Sequence, residues 1–478
     1  MSTRKSVFLC YPCGDLYQRG EDRCQSNIKS STATAMRACN DLGYMAAVLS
    51  PKHDVFLRDY QTEGSTFFDM LQDLRVVKPD YVVLSTTNAT IFSDIDIINR
   101  LKEQSHLDFK VVLKGAIFFN APLTLFDSLD ITNINVFVGG EIEFIIDKIV
   151  DGVALSEIGG LYYVQNGKVI KSKEYSFCED LDSLPFPKRS LMKNELYTRP
   201  DTGEPMATIQ TARGCPSQCI YCLTPKISGC RVRKRSPQNV FDEIRECYDT
   251  YGIKNFFFKA DTFTIDKEWV LELCSLIENS DLFGKIHYTA NSRVKPISKE
   301  VLEAMKRTGC FTIAFGFETG SENTLKRIKK GTTLEDARLA MKLAKEVKLP
   351  VFGFFMIGFP WETSSDIKAT KKFIHQLDPD FLEVHIALPF YGTELHDIAE
   401  QANLLNGTEL GTDYFHDSSK GTTTLSNADL LKWRKRILLG FHLRPSYILR
   451  KFLGAYKNPK IIRNYFKFGF RLLKNCLT

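Results

Sequence analysis

The chain has 478 residues, of which 44% are hydrophobic and 25% are charged, and its formal net charge is +6 at pH 7. This balance is typical of a folded globular protein rather than a disordered chain, and the length is sufficient for two domains plus an appendage. No uninterrupted apolar run reaches the length of a membrane span. Thirteen cysteines without a signal-peptide pattern predict a reducing, cytoplasmic compartment.

Residues 1–155 alternate strand-like and helix-like segments. The predicted strands are 7–11, 44–49, 81–85, 111–113 and 136–138, with 55–59 as a short extended piece, and the predicted helices are 31–42, ended by Gly43, and 142–150. Buried apolar strands that alternate with helices are typical of a doubly wound parallel sheet. Such sheets bind ligands at the carboxyl ends of their strands.

Small residues follow two of these predicted strands. Ser85 and Thr86 close the strand over 81–85, and Gly139 and Gly140 follow the strand over 136–138. Hydroxyl side chains and paired glycines allow close approach of a ligand to the backbone, but ordinary turns have the same composition. Both interpretations remain open from these residues alone.

The loop after the first strand, residues 12–26, contains no histidine, and the first histidine of the chain is His53. Cys10, Cys13 and Cys24 in and beside this loop are candidates for an extra metal site, with unrelated thiols as the alternative. Residues 156–200 are predicted as a hairpin with an Asn-Gly turn and a proline-punctuated linker to a second domain.

Three cysteines, Cys215, Cys219 and Cys222, follow the next predicted strand in a C-x3-C-x2-C pattern. Three thiolates on one loop can hold three irons of a 4Fe-4S cluster and leave the fourth iron open to a substrate or cofactor. A zinc site with Cys230 as fourth ligand, or buried thiols without a metal, are the alternatives. The position at the carboxyl end of a strand favours the cluster, because α/β proteins place active sites there.

The loop resembles that of radical S-adenosylmethionine (SAM) enzymes, including an aromatic residue, Tyr221, directly before the third cysteine. The resemblance implies that the three cysteines ligate a 4Fe-4S cluster whose open iron binds the amino and carboxylate groups of SAM. One electron, from a reductant such as ferredoxin or flavodoxin, would then cleave SAM to a 5'-deoxyadenosyl radical. Tyr221 is expected to pack near the adenine.

Residues 201–392 contain a second strand-helix series. Its predicted strands are 207–211, 255–259, 287–290, 312–316, 351–357 and 382–388, separated by amphipathic helical patterns such as 237–250 and 333–347. Six strands with helical crossovers predict a partial (β/α)6 barrel. This agrees with the radical SAM core that the resemblance implies.

Candidate SAM ligands stand at the ends of these predicted strands, and a capping or turn role is the alternative for each one alone. They are Lys259, Asp261, Asn291, Arg293, Glu318, Met356 and Gly358. By the resemblance, the second strand end meets the amino group of SAM, Glu318 meets the ribose hydroxyls or the methionine end, and the fifth strand end meets the adenine. No catalytic general base is identified.

The layout upstream of the radical loop resembles the cobalamin-binding domain of one large radical SAM subfamily. The resemblance implies that Ser85, Thr86, Gly139 and Gly140 line the corrin or its nucleotide tail. Many cobalamin proteins supply an axial histidine from an Asp-x-His-x-x-Gly loop, which this chain lacks. A bound cobalamin would therefore have no histidine ligand from that loop, and loss of cobalamin is the alternative.

Residues 393–478 are predicted as a helical basic region. From Leu431 onward there are thirteen Lys and Arg and no Asp or Glu, and Pro445 and Pro459 predict several short helices. A helical cap on the barrel, contact with a membrane surface and contact with nucleic acid are the alternatives, of which nucleic acid is least favoured.

These patterns together predict an anaerobic radical SAM enzyme that uses cobalamin to methylate an unactivated carbon of a small-molecule or lipid substrate. The alternatives are a radical cyclase similar to the anaerobic Mg-protoporphyrin ester cyclases and a methylthiotransferase. A peripheral position at the membrane is expected if the tail binds lipid.

Overall fold

The computed structural model describes residues 4–19, 27, 36–405, 410–411, 420–455 and 459–477. Cys24 and the start of the helix predicted over 31–42 lie outside these ranges. The described residues form two large sheets, a two-stranded ribbon and a helical C-terminal region.

The first sheet is built from the N-terminal part of the chain. Its strands are β1 (Ser6–Tyr11), β2 (Asp54–Asp59), β3 (Tyr81–Ser85), β4 (Lys110–Lys114), β5 (Val136–Val138), β6 (Leu161–Gln165) and β7 (Lys168–Lys171). Its helices are α1 (Asn40–Leu49), α2 (Tyr60–Glu63), α3 (Phe67–Val77), α4 (Ile91–Ser105) and α5 (Ile146–Val150). The strand order is β2-β1-β3-β4-β5-β6-β7, and the first five strands are parallel.

Both faces of this sheet are buried, as a doubly wound sheet requires. Val7 and Leu9 of β1 belong to one apolar cluster, and Phe8 and Cys10 belong to the other. The predicted hairpin adds β6 and β7 to the sheet edge as antiparallel strands, so it is part of the sheet rather than of the linker.

One strand predicted for this domain is wrong. Residues 44–49 form the second half of α1, in which Leu42, Met45 and Leu49 are buried at the three- and four-residue spacing of one helix face. A short apolar run cannot by itself distinguish a buried strand from a buried helix. The strand that follows is β2, at residues expected to be only briefly extended.

The segment 181–189 connects the two sheets and packs on α1. A Cβ atom on Gly43 would lie 2.8 Å from Pro187 Cβ, so this glycine permits close packing. The prediction that Gly43 ends the helix is wrong, because α1 continues to Leu49. Asn40 of α1 donates a hydrogen bond to the carbonyl of Thr208 in the second sheet, at 2.7 Å.

The second sheet and its ribbon follow in chain order. The strands are β8 (Met206–Gln210), β9 (Ala212–Arg213), β10 (Arg233–Lys234), β11 (Asn255–Lys259), β12 (His287–Arg293), β13 (Cys310–Glu318), β14 (Val351–Ile357) and β15 (Phe381–Ile386). The helices are α6 (Thr224–Ile227), α7 (Pro237–Tyr251), α8 (Lys267–Glu278), α9 (Lys299–Arg307), α10 (Glu322–Arg327), α11 (Leu334–Glu346), α12 (Ser364–Leu377) and α13 (Glu394–Gln401).

Six of these strands form an all-parallel sheet in the order β15-β14-β13-β12-β11-β8, while β9 and β10 pair as a separate antiparallel ribbon. The partial six-stranded barrel is therefore confirmed. Because all six strands are parallel, their carboxyl ends lie along one rim.

Three helices end the chain: α14 (Asn427–His442), α15 (Pro445–Ala455) and α16 (Pro459–Leu477). The helix α14 covers the edge strand β15, where Arg434 Nε donates to the carbonyl of Val384 at 2.8 Å. The two prolines begin α15 and α16, as predicted, but α16 is a 19-residue helix rather than a short one. Among the described residues, no helix is long and apolar enough to cross a membrane.

Candidate cofactor site

A cavity lies at the carboxyl rim of the second sheet. Ten residues predicted from the sequence line it: Cys215, Cys219, Cys222, Tyr221, Lys259, Asp261, Asn291, Arg293, Glu318 and Met356. They come from the loop after β8 and from the ends of β11, β12, β13 and β14. The parallel arrangement of these strands brings together residues as distant in sequence as Cys215 and Met356, which are 141 positions apart.

The cysteine loop turns inward at Gly214. This residue has φ +84°, and a Cβ atom there would lie 2.1 Å from the carbonyl oxygen of Arg231. Any larger residue would push the loop away from its own return segment. The amide of Cys215 then donates to the carbonyl of Gly229 at 3.1 Å, which closes the loop.

The loop suits a cluster of several irons. Cys215 and Cys219 are buried and Cys222 is half-buried. Among the described residues, no three His, Cys, Asp or Glu side chains form a ready-made site for a metal ion. In a 4Fe-4S cluster each thiolate ligates a different iron, so convergence on one point is not required.

Two further observations bear on the choice of metal. Arg293 Nη1 lies 3.5 Å from Cys219 Sγ and places positive charge beside the thiol. Cys230, the fourth ligand in the zinc alternative, is exposed and does not contribute to the cavity wall. The cysteines that line the cavity are therefore Cys215, Cys219 and Cys222, the number that a cluster with one open iron would use.

A buried ion pair joins two rim residues, Glu318 and Lys330. Glu318 has φ +67°, which turns its carboxylate back over Gly316, where a Cβ atom would lie 2.6 Å from Glu318 Oε1. Lys330 Nζ also donates to Tyr221 Oη at 3.5 Å. The pair thus presents both charges to the cavity beside the cysteine loop, next to Tyr221, where the adenine of SAM is expected.

The other predicted residues have defined partners or positions. Asp261 Oδ1 accepts from Thr224 Oγ1 at 3.2 Å, and the carbonyl of Lys259 accepts from the amide of Thr211 at 2.9 Å. Gly358 does not line the cavity: its amide donates to Glu362 at 2.6 Å, and a Cβ atom on it would lie 2.8 Å from Leu430 of α14.

Several cavity residues were not predicted. They are Arg37, Gln210, Arg213, Lys330, Phe354, His385, Leu388 and Phe390, among others. His385 lies on β15 with its ring centroid 6.0 Å from that of Phe354. The position of His385 on an inward face could have been found from the alternation along β15, whereas Lys330 belongs to a loop without any local signal.

The residues predicted for a corrin occupy the carboxyl edge of the first sheet. Ser85 and Thr86 are buried, and their hydroxyls donate to Asp41 at 3.0 Å and to Asp94 at 2.7 Å. Lys114 also donates to Asp41, at 2.8 Å. These side chains therefore form internal networks instead of facing an open surface.

The paired glycines are also packed against protein. A Cβ atom on Gly139 would lie 2.0 Å from the amide nitrogen of Phe119, and one on Gly140 would lie 3.3 Å from the ring of the same residue. The close approach that these glycines permit is to Phe119. The four residues predicted for the corrin thus have packing roles in this structure.

A cluster of buried charges joins the two sheets directly behind the cysteine loop. Glu141, which follows the paired glycines, pairs with Arg213 at 3.2 Å and with Arg233 at 3.0 Å. Glu143 pairs with Arg213 as well. Because Arg213 lies two residues before Cys215, these contacts fix the position of the cysteine loop against the first sheet.

Cys10 and Cys13, two of the three candidates for an extra metal site, are free thiols. Cys10 is fully buried in the sheet, and burial raises the pKa of its thiol far above the ordinary value. Cys13 is half-buried, and burial raises its pKa too. Cys24, the third candidate ligand of that metal site, lies outside the described residues.

Comparison with known proteins places this site in a family. The profile of the radical SAM superfamily matches residues 209–374, which span the cysteine loop and most of the second sheet. An uncharacterized methyltransferase from Pyrococcus horikoshii is 31% identical over 413 residues, which are 86% of this chain and 88% of the relative. The anaerobic magnesium-protoporphyrin IX monomethyl ester cyclase of Synechocystis is 23% identical over 416 residues, covering 84% of this chain and 81% of the cyclase.

Among solved structures, the cobalamin-dependent SAM radical enzyme OxsB superposes with a TM-score of 0.73 at 16% identity, covering 99% of this chain and 72% of OxsB. This likeness shows a shared fold over both sheets. The superfamily is defined by a 4Fe-4S cluster and SAM, for which the cavity holds three cysteines and a charged rim. The chain belongs to the radical SAM superfamily.

Proposed function

We propose that the chain is a cobalamin-dependent radical SAM methyltransferase that acts on an unactivated carbon. The observation that carries the proposal is that the similarity to a methyltransferase spans both sheets and not the radical core alone. A radical core needs the second sheet, and the first sheet is the part that a cobalamin-type enzyme adds. The ion cluster behind the cysteine loop holds these two parts together.

Within the cavity, the chain's own residues have distinct tasks. Cys215, Cys219 and Cys222 would hold the cluster, and Arg293 would stabilise the negative charge of the Cys219 thiolate. The pair of Glu318 and Lys330 offers a carboxylate and an ammonium group for the polar ends of SAM. When bound, the cluster and SAM supply a 5'-deoxyadenosyl radical for hydrogen abstraction, and cobalamin supplies the methyl group.

Cobalamin binding is a proposal that is supported by the fold shared with the cobalamin-dependent enzyme OxsB and not by the four residues predicted for it. Ser85 and Thr86 direct their hydroxyls inward, so a corrin would contact other groups at the carboxyl edge of the first sheet. The test is to incubate the purified chain with hydroxocobalamin, repurify it and record the visible spectrum. A corrin spectrum at about one equivalent supports the proposal, and its absence opposes it.

The reaction is tested separately, with SAM that carries a deuterated methyl group. The reconstituted chain is incubated anaerobically with a reductant and with small-molecule and lipid extracts, and the products are analysed by mass spectrometry. A product heavier by a labelled methyl group supports methyl transfer. Consumption of SAM with a new unsaturated or cyclic product that has no label would favour the cyclase alternative.

We also propose an external one-electron reductant, a small-molecule or lipid substrate, and peripheral contact of the basic region with a membrane surface. The membrane contact is supported by the thirteen Lys and Arg and the absence of Asp and Glu from Leu431 onward. The cap alternative is supported for α14, since Leu430, Ile437 and Phe441 are buried in the barrel core. The membrane contact therefore concerns α15 and α16.

A further inference from the structure

Exposed large apolar side chains are concentrated at the end of the chain. Seventeen such side chains occur among the described residues, and eight of them lie within residues 443–473. The eight are Leu443, Ile448, Leu449, Phe452, Leu453, Phe466, Phe470 and Leu473. Single exposed apolar residues are normal on a protein surface, but a contiguous group of this kind marks an interaction site.

The helix α16 has two distinct faces. On the inner face, Leu472 is buried, Phe468 packs its ring 5.4 Å from that of His442, and Asn464 donates to the carbonyl of Asp201 at 2.7 Å. On the outer face, Phe466 and Phe470 are each 73% exposed. The spacing of three and four residues places each set on one side of the helix.

The helix α15 repeats this arrangement. Tyr447 and Lys451 face the barrel, where Tyr447 Oη donates to the carbonyl of Asp380 at 3.0 Å and Lys451 Nζ lies 3.7 Å from the ring centroid of Phe381. Ile448, Leu449, Phe452 and Leu453 are more than half exposed on the outer side. The two helices pack against each other as one hairpin.

The charges on this hairpin complement an anionic surface. Arg463 and Lys467 are exposed on the same face of α16 as the two exposed phenylalanines. Two other cations of the hairpin pair with carboxylates of the barrel: Arg450 with Asp378 and the largely buried Lys451 with Asp380. The outer surface is thus mainly apolar with a few cations, which suits an anionic lipid interface better than the phosphate backbone of RNA.

The hairpin lies at the amino ends of the barrel strands. Its barrel contacts, Asp378 and Asp380, come directly before β15, and Asp201 comes before β8. The cofactor cavity is at the opposite, carboxyl ends of the same strands. The seven residues of β14 place the two ends about 20 Å apart, at about 3.3 Å per residue.

We propose that the outer faces of α15 and α16 dock in the plane of an anionic phospholipid membrane, with the cofactor cavity on the far side of the barrel. This deepens the proposed membrane contact and does not depend on the proposed methyl transfer. In this orientation the cavity does not open toward the docked leaflet. Membrane binding is therefore no argument for a substrate drawn from that leaflet.

The test is flotation of the full-length chain with vesicles of phosphatidylcholine, with and without phosphatidylglycerol. We expect binding to the anionic vesicles, weakened by added salt, and little binding to the neutral ones. The double variant Phe466→Ser/Phe470→Ser should bind at least about tenfold more weakly, because both side chains would lose apolar contact with lipid. Its matched control is Phe68→Ser, which removes an equally exposed phenylalanine, 73%, on α3.

The charged part of the face is tested by Arg463→Gln/Lys467→Gln against Lys306→Gln/Lys342→Gln, two exposed lysines on α9 and α11. The first pair should lose anionic-vesicle binding and the second should keep it. Unchanged melting temperature and SAM cleavage would show that the variants are folded and that only docking is altered.

Four outcomes would overturn the proposal. The first three are no flotation of the wild-type chain, equal binding to neutral and anionic vesicles, and equal losses of vesicle binding in the test and control variants. The fourth is a wild-type dimer that Phe466→Ser/Phe470→Ser converts to a monomer. In that case a second copy of the chain, and not a membrane, would cover the outer faces of α15 and α16. Salt-sensitive binding to RNA that is insensitive to the phenylalanine substitutions, without vesicle binding, would assign the surface to nucleic acid instead.

Discussion

The carboxyl edges of the two sheets carry similar sequence signals and have different structures. In the second sheet, residues such as Asn291 and Glu318 end their strands at a common cavity. In the first sheet, Ser85 and Thr86 end a strand in the same way, but their hydroxyls are bound to Asp41 and Asp94. A polar residue after a buried strand is therefore a candidate ligand residue only where its side chain also lines a cavity. A protein partner does not decide this alone, because Glu318 is paired with Lys330 and still lines the cavity.

The largest expected effect is at the cavity on the carboxyl edge of the second sheet. Cys219→Ala should reduce the iron content of the anaerobically reconstituted chain from about four per chain, and SAM cleavage should fall below detection, because one iron loses its thiolate. Iron is measured by colorimetric assay and 5'-deoxyadenosine by chromatography. The control is Cys230→Ala, at an exposed position outside the cavity wall. Full iron content in the Cys219 variant would contradict the site.

The next effect concerns the cluster of buried charges that joins the two sheets. Glu141→Gln should lower the free energy of unfolding by about 3 kcal/mol, because it leaves the buried guanidinium groups of Arg213 and Arg233 incompletely paired. Urea denaturation measures the change. The control, Glu179→Gln, breaks the exposed pair with Arg231 and should cost less than about 1 kcal/mol. Equal effects in the two variants would contradict a structural role for the buried cluster.

A smaller pair of effects should differ between the carboxyl edge of the first sheet and the cavity of the second sheet. Thr86→Val should cost about 1–2 kcal/mol of stability through the lost hydrogen bond to buried Asp94, and should leave cobalamin binding unchanged. Asn291→Ala should show the reverse pattern, with weaker SAM binding and little change in stability, because Asn291 lines the cavity. Calorimetry measures both quantities. Loss of cobalamin binding in the folded Thr86 variant would instead support the prediction that Thr86 lines the corrin.

A further effect, confined to one pH window, is a pH dependence of stability at Glu362. Burial raises the pKa of Glu362 from 4.5 to about 7, although the amides of Gly358 and Phe359 donate to its carboxylate and oppose the shift. Between these values the folded chain holds a proton that the unfolded chain has released, so this group makes stability fall as pH rises from about 4.5 to about 7.

Glu362→Gln should remove that contribution and flatten the fall by about 1–3 kcal/mol across the window. The control is Glu335→Gln, whose side chain is exposed and should leave the slope unchanged. Parallel curves for wild type and the Glu362 variant in urea unfolding at several pH values would contradict the shift.

Much of this architecture was readable from the sequence, because apolar strands and cysteine spacing are local signals. The bounds predicted for β11 and β14 agree with the structure, and the superfamily and the fold class are confirmed. The error at residues 44–49 arose where a short apolar run was equally compatible with a strand and a helix.

What the sequence could not supply was the set of partners between distant segments. Lys330 meets Glu318 from a loop twelve residues away, and Glu141 meets Arg213 across the two sheets. These contacts depend on how the elements pack, and no local pattern encodes them. The internal partners of Ser85 and Thr86 are of the same kind, which is why their predicted role in lining a corrin finds no support in the structure.

The central claim, a radical SAM methyltransferase, is tested most directly by the products formed from SAM. The reconstituted chain, supplied with cobalamin, reductant and a responsive extract fraction, should form both 5'-deoxyadenosine and S-adenosylhomocysteine. The first reports radical generation and the second reports methyl transfer. Formation of 5'-deoxyadenosine without S-adenosylhomocysteine, in the presence of a consumed substrate, would contradict the account and favour a radical cyclase.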